Sequence, residues 1–457
     1  MSENHHRLNR RLGYFPLYNI VVANIIGAGI FTTSGILLGE INHALVMIFI
    51  WLFGGLIAIS GALSYSELGI AMPQAGGEYT FLSRLYHPSL GFLSGWVSFI
   101  AGFSAPIAAS AIGFSEYFYR AVPIIADYGP LSDISPESVK QILAISVILF
   151  FTAIHARGLT IGSRIQNILT ILKIALLVLL IAGGLILGDG DWSHFSMNEP
   201  FVVDLSGLKA GGLSLLWVMF AYSGWNAATY IGSEVKNPRK NIPKALITGT
   251  LTVVALYFLL NVFFVYSIPP GQMKGVVSVG GLAVANAFGV RAESIISLLI
   301  SFALFSSLSA YLILGPRVYY AMSRDGYFFR SFARVTDHNH VPSRAILLQG
   351  ALSIIMVISG TFDQILTYMG FALGLFPLIA VTGIFKLRKE NKGIPLMPGY
   401  PYVQIFFLTT SALMLGLSFF ERPFESLTAL LTVLLGLPVY HYFRGRVKNK
   451  IKIDDPG

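Results

Sequence analysis

Apolar residues run in blocks of roughly twenty along nearly the whole chain, separated by short polar stretches rich in Pro and Gly. A helix of about 20 apolar residues crosses a hydrocarbon layer roughly 30 Å thick. The pattern predicts twelve spans, near residues 15–38, 44–68, 90–118, 140–156, 164–187, 211–235, 243–267, 292–322, 344–360, 364–386, 402–420 and 424–443. Only a short N-terminal tail (1–14) and a basic C-terminal tail (444–457) lie outside them. The first block lacks a small-residue cleavage pattern and precedes many others, so it is expected to stay as span 1. The expected fold class is an all-α polytopic membrane protein with twelve transmembrane helices.

Two of these blocks are broken at their centres. Span 1 contains Asn24-Ile25-Ile26-Gly27-Ala28-Gly29-Ile30-Phe31, and span 6 contains Phe220-Ala221-Tyr222-Ser223-Gly224-Trp225-Asn226. Unwound backbone is tolerated at membrane depth only where it lines a protein cavity, because unpaired amides in hydrocarbon cost several kcal/mol. The breaks sit five spans apart, and an odd offset inverts one half relative to the other. A five-plus-five inverted repeat is therefore expected, spans 1 to 5 (15–187) and 6 to 10 (211–386), with spans 11 and 12 (402–443) appended and discontinuous helices 1 and 6 meeting at the midplane. Close helix packing is the competing use of such glycines, and the paired placement argues against it as the whole explanation.

Composition agrees with the pattern: 54% hydrophobic, 12% charged, and a mean hydropathy of +0.69. The net charge of +9 needs sorting by loop before it suggests a partner. With both termini cytoplasmic, the inner loops receive most of the Lys and Arg, including Arg7, Arg10, Arg11, Arg239, Arg324, Arg388 and Lys392. The outer loops hold few, such as Lys209, Lys274 and Arg291, beside acids such as Asp189, Asp191, Glu199 and Asp204. Orientation in the membrane accounts for the charge, and no nucleic-acid partner is expected. The chain has no cysteine, which removes disulfides and thiolate metal sites. His5, His6, His338 and His340 lack carboxylates at ligand spacing, so no metal or other cofactor is expected. No nucleophile–base set or phosphate loop emerges, so the chain does not read as an enzyme.

The breaks suggest what they bind. Where span 1 restarts, the amides of Ala28, Gly29 and Ile30 stand at the positive end of a half-helix and suit a carboxylate. Free carbonyls at Ile25, and at Phe220 and Ser223 in span 6, suit an ammonium group. Together these describe the invariant part of an α-amino acid. Its side chain would meet walls supplied by Phe220, Ser223, Trp225 and Asn226. Lys173, ten residues into span 5 from Ser163, lies some ~15 Å deep, where a charge is costly and generally functional. Snorkelling from a helix that begins later, or a purely structural contact, is the alternative.

Several motifs resemble those of the amino acid-polyamine-organocation superfamily: Ser64-Tyr65-Ser66-Glu67-Leu68-Gly69, Pro73-Gln74-Ala75-Gly76-Gly77-Glu78-Tyr79, Glu234-Val235-Lys236-Asn237-Pro238-Arg239 and Arg317-Val318-Tyr319-Tyr320. Within it the chain is most similar to L-type amino acid transporters, with Ala28 where their span 1 serine is usual. The resemblance implies a carboxylate site at Ala28 and Gly29, an ammonium site at Ile25, Phe220 and Ser223, and an aromatic gate at Phe220, to which Trp225 is added. Ser223, where larger-substrate members tend to have glycine, hints at a smaller pocket. The resemblance places Lys173 beside spans 1 and 8 in the position of a sodium ion, with Ser306 and Ser307 as its span 8 neighbours. Tyr257 and Asn261 match family positions and stand equally for a structural role.

The expected function is a sodium-independent secondary transporter of small to medium neutral L-α-amino acids working by alternating access. It would be an exchanger if Lys173 stays charged and a proton-coupled permease if Lys173 titrates, in which case protons join the lipid bilayer and the substrate as partners. Alternatives are a polyamine or organocation permease, disfavoured because no acid lies near either break in sequence, and a non-transporting amino acid sensor. Animal members attach a heavy chain through a disulfide. Lacking cysteine, this chain is expected to be a bacterial, self-sufficient, multi-pass protein of the inner membrane.

Overall fold

A computed structural model of the chain describes residues 8–122, 135–196, 205–276, 279–289, 293–336, 340–359, 362–390, 397–421 and 423–454. Arg7, Glu199, Asp204, Arg291 and Lys392 of the charge argument lie outside them, as do His5, His6 and His338. Among the described residues the fold is helical, with only two isolated bridges of extended backbone, Leu12 with Val235 and Ala75 with Ile231.

Span 1 is two helices, α1 (Tyr14–Ile25) and α2 (Gly29–Ile41), and span 2 is α3 (Ala44–Ala71). A short helix, α4 (Glu78–Leu85), leads into span 3, which is α5 (Pro88–Val97) and α6 (Ala105–Ala121) joined by a wider π turn at Ser98–Ser104. Pro106 withholds an amide from the ladder there, and Ser104 bonds back to the Phe99 carbonyl at 2.8 Å. Spans 4 and 5 are α7 (Pro136–Arg157) and α8 (Leu159–Ile186). Span 6 starts as α9 (Leu205–Ala221) and continues only as short 3-10 turns at Ala227–Tyr230 and Gly232–Glu234.

The remaining helices are α10 (Pro238–Ser267), α11 (Pro270–Met273), α12 (Val279–Phe288), α13 (Glu293–Arg324), α14 (Ser343–Ser359), α15 (Phe362–Glu390), α16 (Tyr402–Glu421) and α17 (Pro423–Asp454). Nine helices among the described residues are long and apolar enough to cross a membrane, and Lys209–Ala221, Val279–Phe288 and Ser343–Ser359 are shorter apolar ones. Span 6 falls among the short ones because its helix stops at Ala221. The apolar α12 was not anticipated; it fills the connection between α10 and α13.

The two ends of the bundle are distinct. At the end that carries the N-terminal tail, here the inner end, the amides of Arg11 and Leu12 bond to the Glu234 carbonyl, Ala75 bonds to Ser233, and Arg388 of α15 pairs with Glu67 of α3. At the opposite end, the Gly275 amide reaches the Gly35 carbonyl at 2.8 Å and Lys140 pairs with Glu116. Large apolar side chains such as Leu179 and Leu427 are exposed on the peripheral α8 and α17, as expected of helices facing lipid. Polar side chains collect in the interior instead, around the two breaks.

Candidate functional site

The first helix stops because its hydrogen-bond ladder runs out at glycine. The Ile26 amide still reaches the Val22 carbonyl at 3.0 Å, but Ile26 has already left helical geometry at ψ 92°. The chain turns helical again at Gly29, where the Phe31 amide closes the first bond of α2 on the Ala28 carbonyl. The amides of Ala28, Gly29 and Ile30 precede that bond and have no acceptor within the helix. In span 6 the helix stops at Ala221, and beyond it Gly224 has φ +101°, a left-handed conformation that glycine alone adopts without strain.

The two breaks lie against each other. A Cβ on Gly29 would stand 2.7 Å from the Ala221 Cβ and 2.8 Å from its Cα. A Cβ on Gly224 would stand 2.8 Å from the Asn24 carbonyl oxygen. These glycines therefore serve both uses weighed from the sequence, interrupting the helix and letting backbone touch backbone.

Carbonyls freed at the end of α1 are held by side chains from three helices. Lys173 of α8 donates to the Ile26 carbonyl at 2.7 Å, to the Ser307 hydroxyl at 2.8 Å and to the Ala23 carbonyl at 3.4 Å. Ser307 of α13 donates to the same Ile26 oxygen. Tyr257 of α10 bridges the breaks, its hydroxyl lying 2.9 Å from the Ile25 carbonyl and 3.1 Å from that of Ala221. Tyr311 of α13 donates to the Asn24 carbonyl at 3.1 Å. Lys173 is only 2% exposed, so the snorkelling alternative does not describe it. Ser306 does not reach Lys173; its hydroxyl and carbonyl are bonded by Gln166.

A cavity runs along the breaks. Ile25, Ala28, Gly29, Phe220, Ser223 and Tyr311 line a narrow part of about 20 Å³. A larger part of about 100 Å³ is walled by Asn24, Ser94, Ser98, Phe103, Phe220, Ser223, Trp225, Asn226, Tyr230 and Glu78. Pro106, Phe220, Ser223 and Tyr311 line both parts. Ile30 is buried and lines neither part, so its side chain lies off the cavity. The Asn24 amide nitrogen and the Ser94 hydroxyl are buried in this wall without a protein partner, donors of the sort a polar ligand satisfies.

The inner end of the cavity brings the pocket residues Trp225 and Asn226 against buried acids. Trp225 packs edge-on against Tyr65 at 4.8 Å and Phe407 at 5.6 Å. Asn226 donates to Glu78 at 2.7 Å and to the Tyr230 hydroxyl at 3.2 Å. Below them, Arg317 and Glu234 form an ion pair at 3.1 Å with both side chains 1% exposed. Glu67, Glu78 and Glu234 are all buried. Asn261 is used structurally, accepting from Ser34 and donating to the Tyr257 carbonyl at 2.8 Å. Sequence reading passed over Tyr311, Asn24 and Glu78 as cavity residues; the signal for Glu78 was the Gly76-Gly77 pair before it, both at positive φ. The premise that no acid stands near the breaks is corrected: Glu78 is far from them in sequence and lines the same cavity.

Two interrupted helices touching within a polytopic bundle, beside a cavity with polar groups set in a largely apolar wall and a buried lysine, are the architecture of a membrane carrier. The profile of the amino acid permease family matches residues 12–439, and the chain belongs to that family. It is similar to the b(0,+)-type amino acid transporter 1 of Homo sapiens, 29% identical over 445 residues, 95% of this chain and 88% of the relative. It is likewise similar to the serine/threonine exchanger SteT of Bacillus subtilis (strain 168), 29% identical over 450 residues, covering 96% and 98%. The cystine/glutamate transporter of Homo sapiens is 27% identical over 443 residues, covering 96% and 86%. The chain is thus an amino acid transporter of the amino acid-polyamine-organocation superfamily and lies in the membrane. With no cysteine, it forms no disulfide to a heavy chain.

Proposed function

We propose that the chain is a sodium-independent exchanger of small to medium neutral L-α-amino acids, working by alternating access with both termini cytoplasmic. The observation that carries the reading is the junction of the breaks: amides of Ala28, Gly29 and Ile30 without helical acceptors lie opposite the carbonyl-rich turn at Phe220–Ser223. The substrate carboxylate would take the amides and its ammonium the carbonyls of Ile25 and Phe220. The side chain would extend past Phe220 and Ser223 toward Asn226. A cavity of about 100 Å³ suits a side chain of few heavy atoms.

Lys173 supports independence from sodium. Its ammonium occupies the meeting point of the Ile26 carbonyl and the Ser307 hydroxyl, an oxygen-lined position that suits a monovalent cation. Exchange, as against proton coupling, is favoured by the SteT relative, which is named as an exchanger. Glu78 in the cavity wall gives the organocation reading its one supporting observation.

The test is counterflow in proteoliposomes loaded with one labelled amino acid and challenged with each common amino acid and with putrescine. Trans-stimulation by serine, threonine, alanine and other neutral amino acids is expected, and none by putrescine. Stimulation by putrescine alone would replace the substrate class, and ligand binding with no flux would favour a sensor.

A further inference from the structure

Three buried carboxylates stand at the inner end, and one is held differently. Glu67 is matched by Arg388 at 2.7 Å, and Glu234 by Arg317 at 3.1 Å. Glu78, 5% exposed, receives only neutral donors: the Tyr65 hydroxyl of α3 at 2.9 Å and the Asn226 amide at 2.7 Å, with Tyr230 bonded to both Asn226 and the carboxylate. The other charged groups packed around α4 are turned elsewhere. Asp325 after α13 takes the Tyr79 hydroxyl at 2.7 Å, Lys386 of α15 donates to the Leu85 carbonyl, and Arg388 is engaged by Glu67. A buried carboxyl facing neutral donors is held neutral far more readily than one facing a guanidinium.

Its position ties that protonation state to movement. Gly77, with φ +52°, packs against the Tyr230 ring so closely that a Cβ there would lie 2.6 Å away, which lodges the start of α4 beneath the inner half of span 6. Glu78 thereby joins span 2, the loop before span 3 and the inner half of span 6. Alternating access requires the last of these to part from the others.

We propose, resting on the transport reading above, that Glu78 is a proton-binding site of the cytoplasmic gate: the closed gate holds the proton on its carboxyl, and opening releases it to cytoplasmic water. Burial pushes the Glu78 carboxyl up to about 7, against hydrogen bonds from Tyr65, Tyr230 and Asn226 that favour the charged form. In the opened gate, in contact with water, it returns toward the ordinary carboxylate value of about 4.3. Opening therefore sheds a proton at any pH between those values. It becomes easier as pH rises through that window, by up to about tenfold per pH unit, and levels off above about 7.

The experiment is amino acid exchange in proteoliposomes with equal pH on both sides, stepped from about 5.5 to 8. The wild-type rate is expected to rise on the order of tenfold between about pH 5.5 and 7.5 and then flatten. Glu78→Gln, neutral at every pH, should lose the rise, whereas Glu78→Asp should keep it. Tyr65→Phe, which removes one hydrogen bond to the charged form, should move the midpoint to higher pH. Exchange that is flat with pH in the wild type, or a Glu78→Gln profile that still rises, would overturn the proposal while leaving amino acid transport intact. Substrate-induced thermal stabilisation reports that each variant is folded. If neither Glu78 variant folds, the Tyr65→Phe midpoint decides: an unmoved midpoint overturns the proposal. Absence of any amino acid flux would instead refute the transport reading itself.

Discussion

The break region and the inner end handle polarity in opposite ways. At the breaks the polar groups are backbone: freed carbonyls of α1 are satisfied by single hydroxyls from Tyr257, Tyr311 and Ser307 and by the Lys173 ammonium. At the inner end they are side-chain charges, matched carboxylate to guanidinium in Glu67–Arg388 and Glu234–Arg317. On the proposed reading, backbone dipoles would supply recognition that any amino acid satisfies, because they would read only the part all amino acids share. Charged pairs supply a lock that is strong when made and costly when half broken.

The sharpest way to break the comparison is to strand one charge. Arg317→Met leaves Glu234 buried without its partner, and a loss of about 3–5 kcal/mol is expected, read as a large fall in thermal stability in detergent. Adding Glu234→Leu should recover most of it; a double variant no better than the single one would deny that the pair acts as a unit. At the breaks, Gly29→Val pushes carbon into the Ala221 backbone and should lower exchange by more than about a hundredfold in protein that still purifies as a folded monodisperse species. Near-normal affinity would remove Gly29 from the carboxylate site.

Smaller effects test the side chains that hold the freed carbonyls. Tyr257→Phe removes the one hydroxyl proton shared between the Ile25 and Ala221 carbonyls, a loss of about 1 kcal/mol, and should weaken substrate binding several-fold with little change in melting temperature. An equal loss in stability would make Tyr257 a structural strut. Replacing sodium with choline is expected to change nothing, as measured by initial uptake rate. Strict sodium dependence would deny Lys173 the cation position.

Local pattern was enough to read the apolar helical character of the chain and both breaks, because the length of an apolar run and the presence of glycine within it are properties of consecutive residues. Lys173 was legible for a similar reason, a charge too deep to be accidental, and Ser307 followed from the family resemblance. What escaped was whatever depends on how distant segments meet. Ser306 and Ser307 are indistinguishable in sequence, yet helical rotation turns one toward Lys173 and the other toward Gln166. Glu78 sits in a polar loop and reads as solvent-exposed until the Gly76-Gly77 turn folds it beneath Tyr230. Asn261, identified by its match to a family position, holds Ser34 and its own helix, which only the meeting of Ser34 and Asn261 across the bundle reveals.

The short extended segment ahead of α1 has a mechanical consequence. The amides of Arg11 and Leu12 bond to the Glu234 carbonyl, and the Lys236 amide returns to the Leu12 carbonyl at 2.8 Å. These bonds yoke the inner arm of span 1 to the inner arm of span 6, so the two would swing as one lever instead of two independent flaps. A rigid fusion placed directly on residue 8 or 9 would load that lever, while a tag carried beyond α17 would leave it unencumbered.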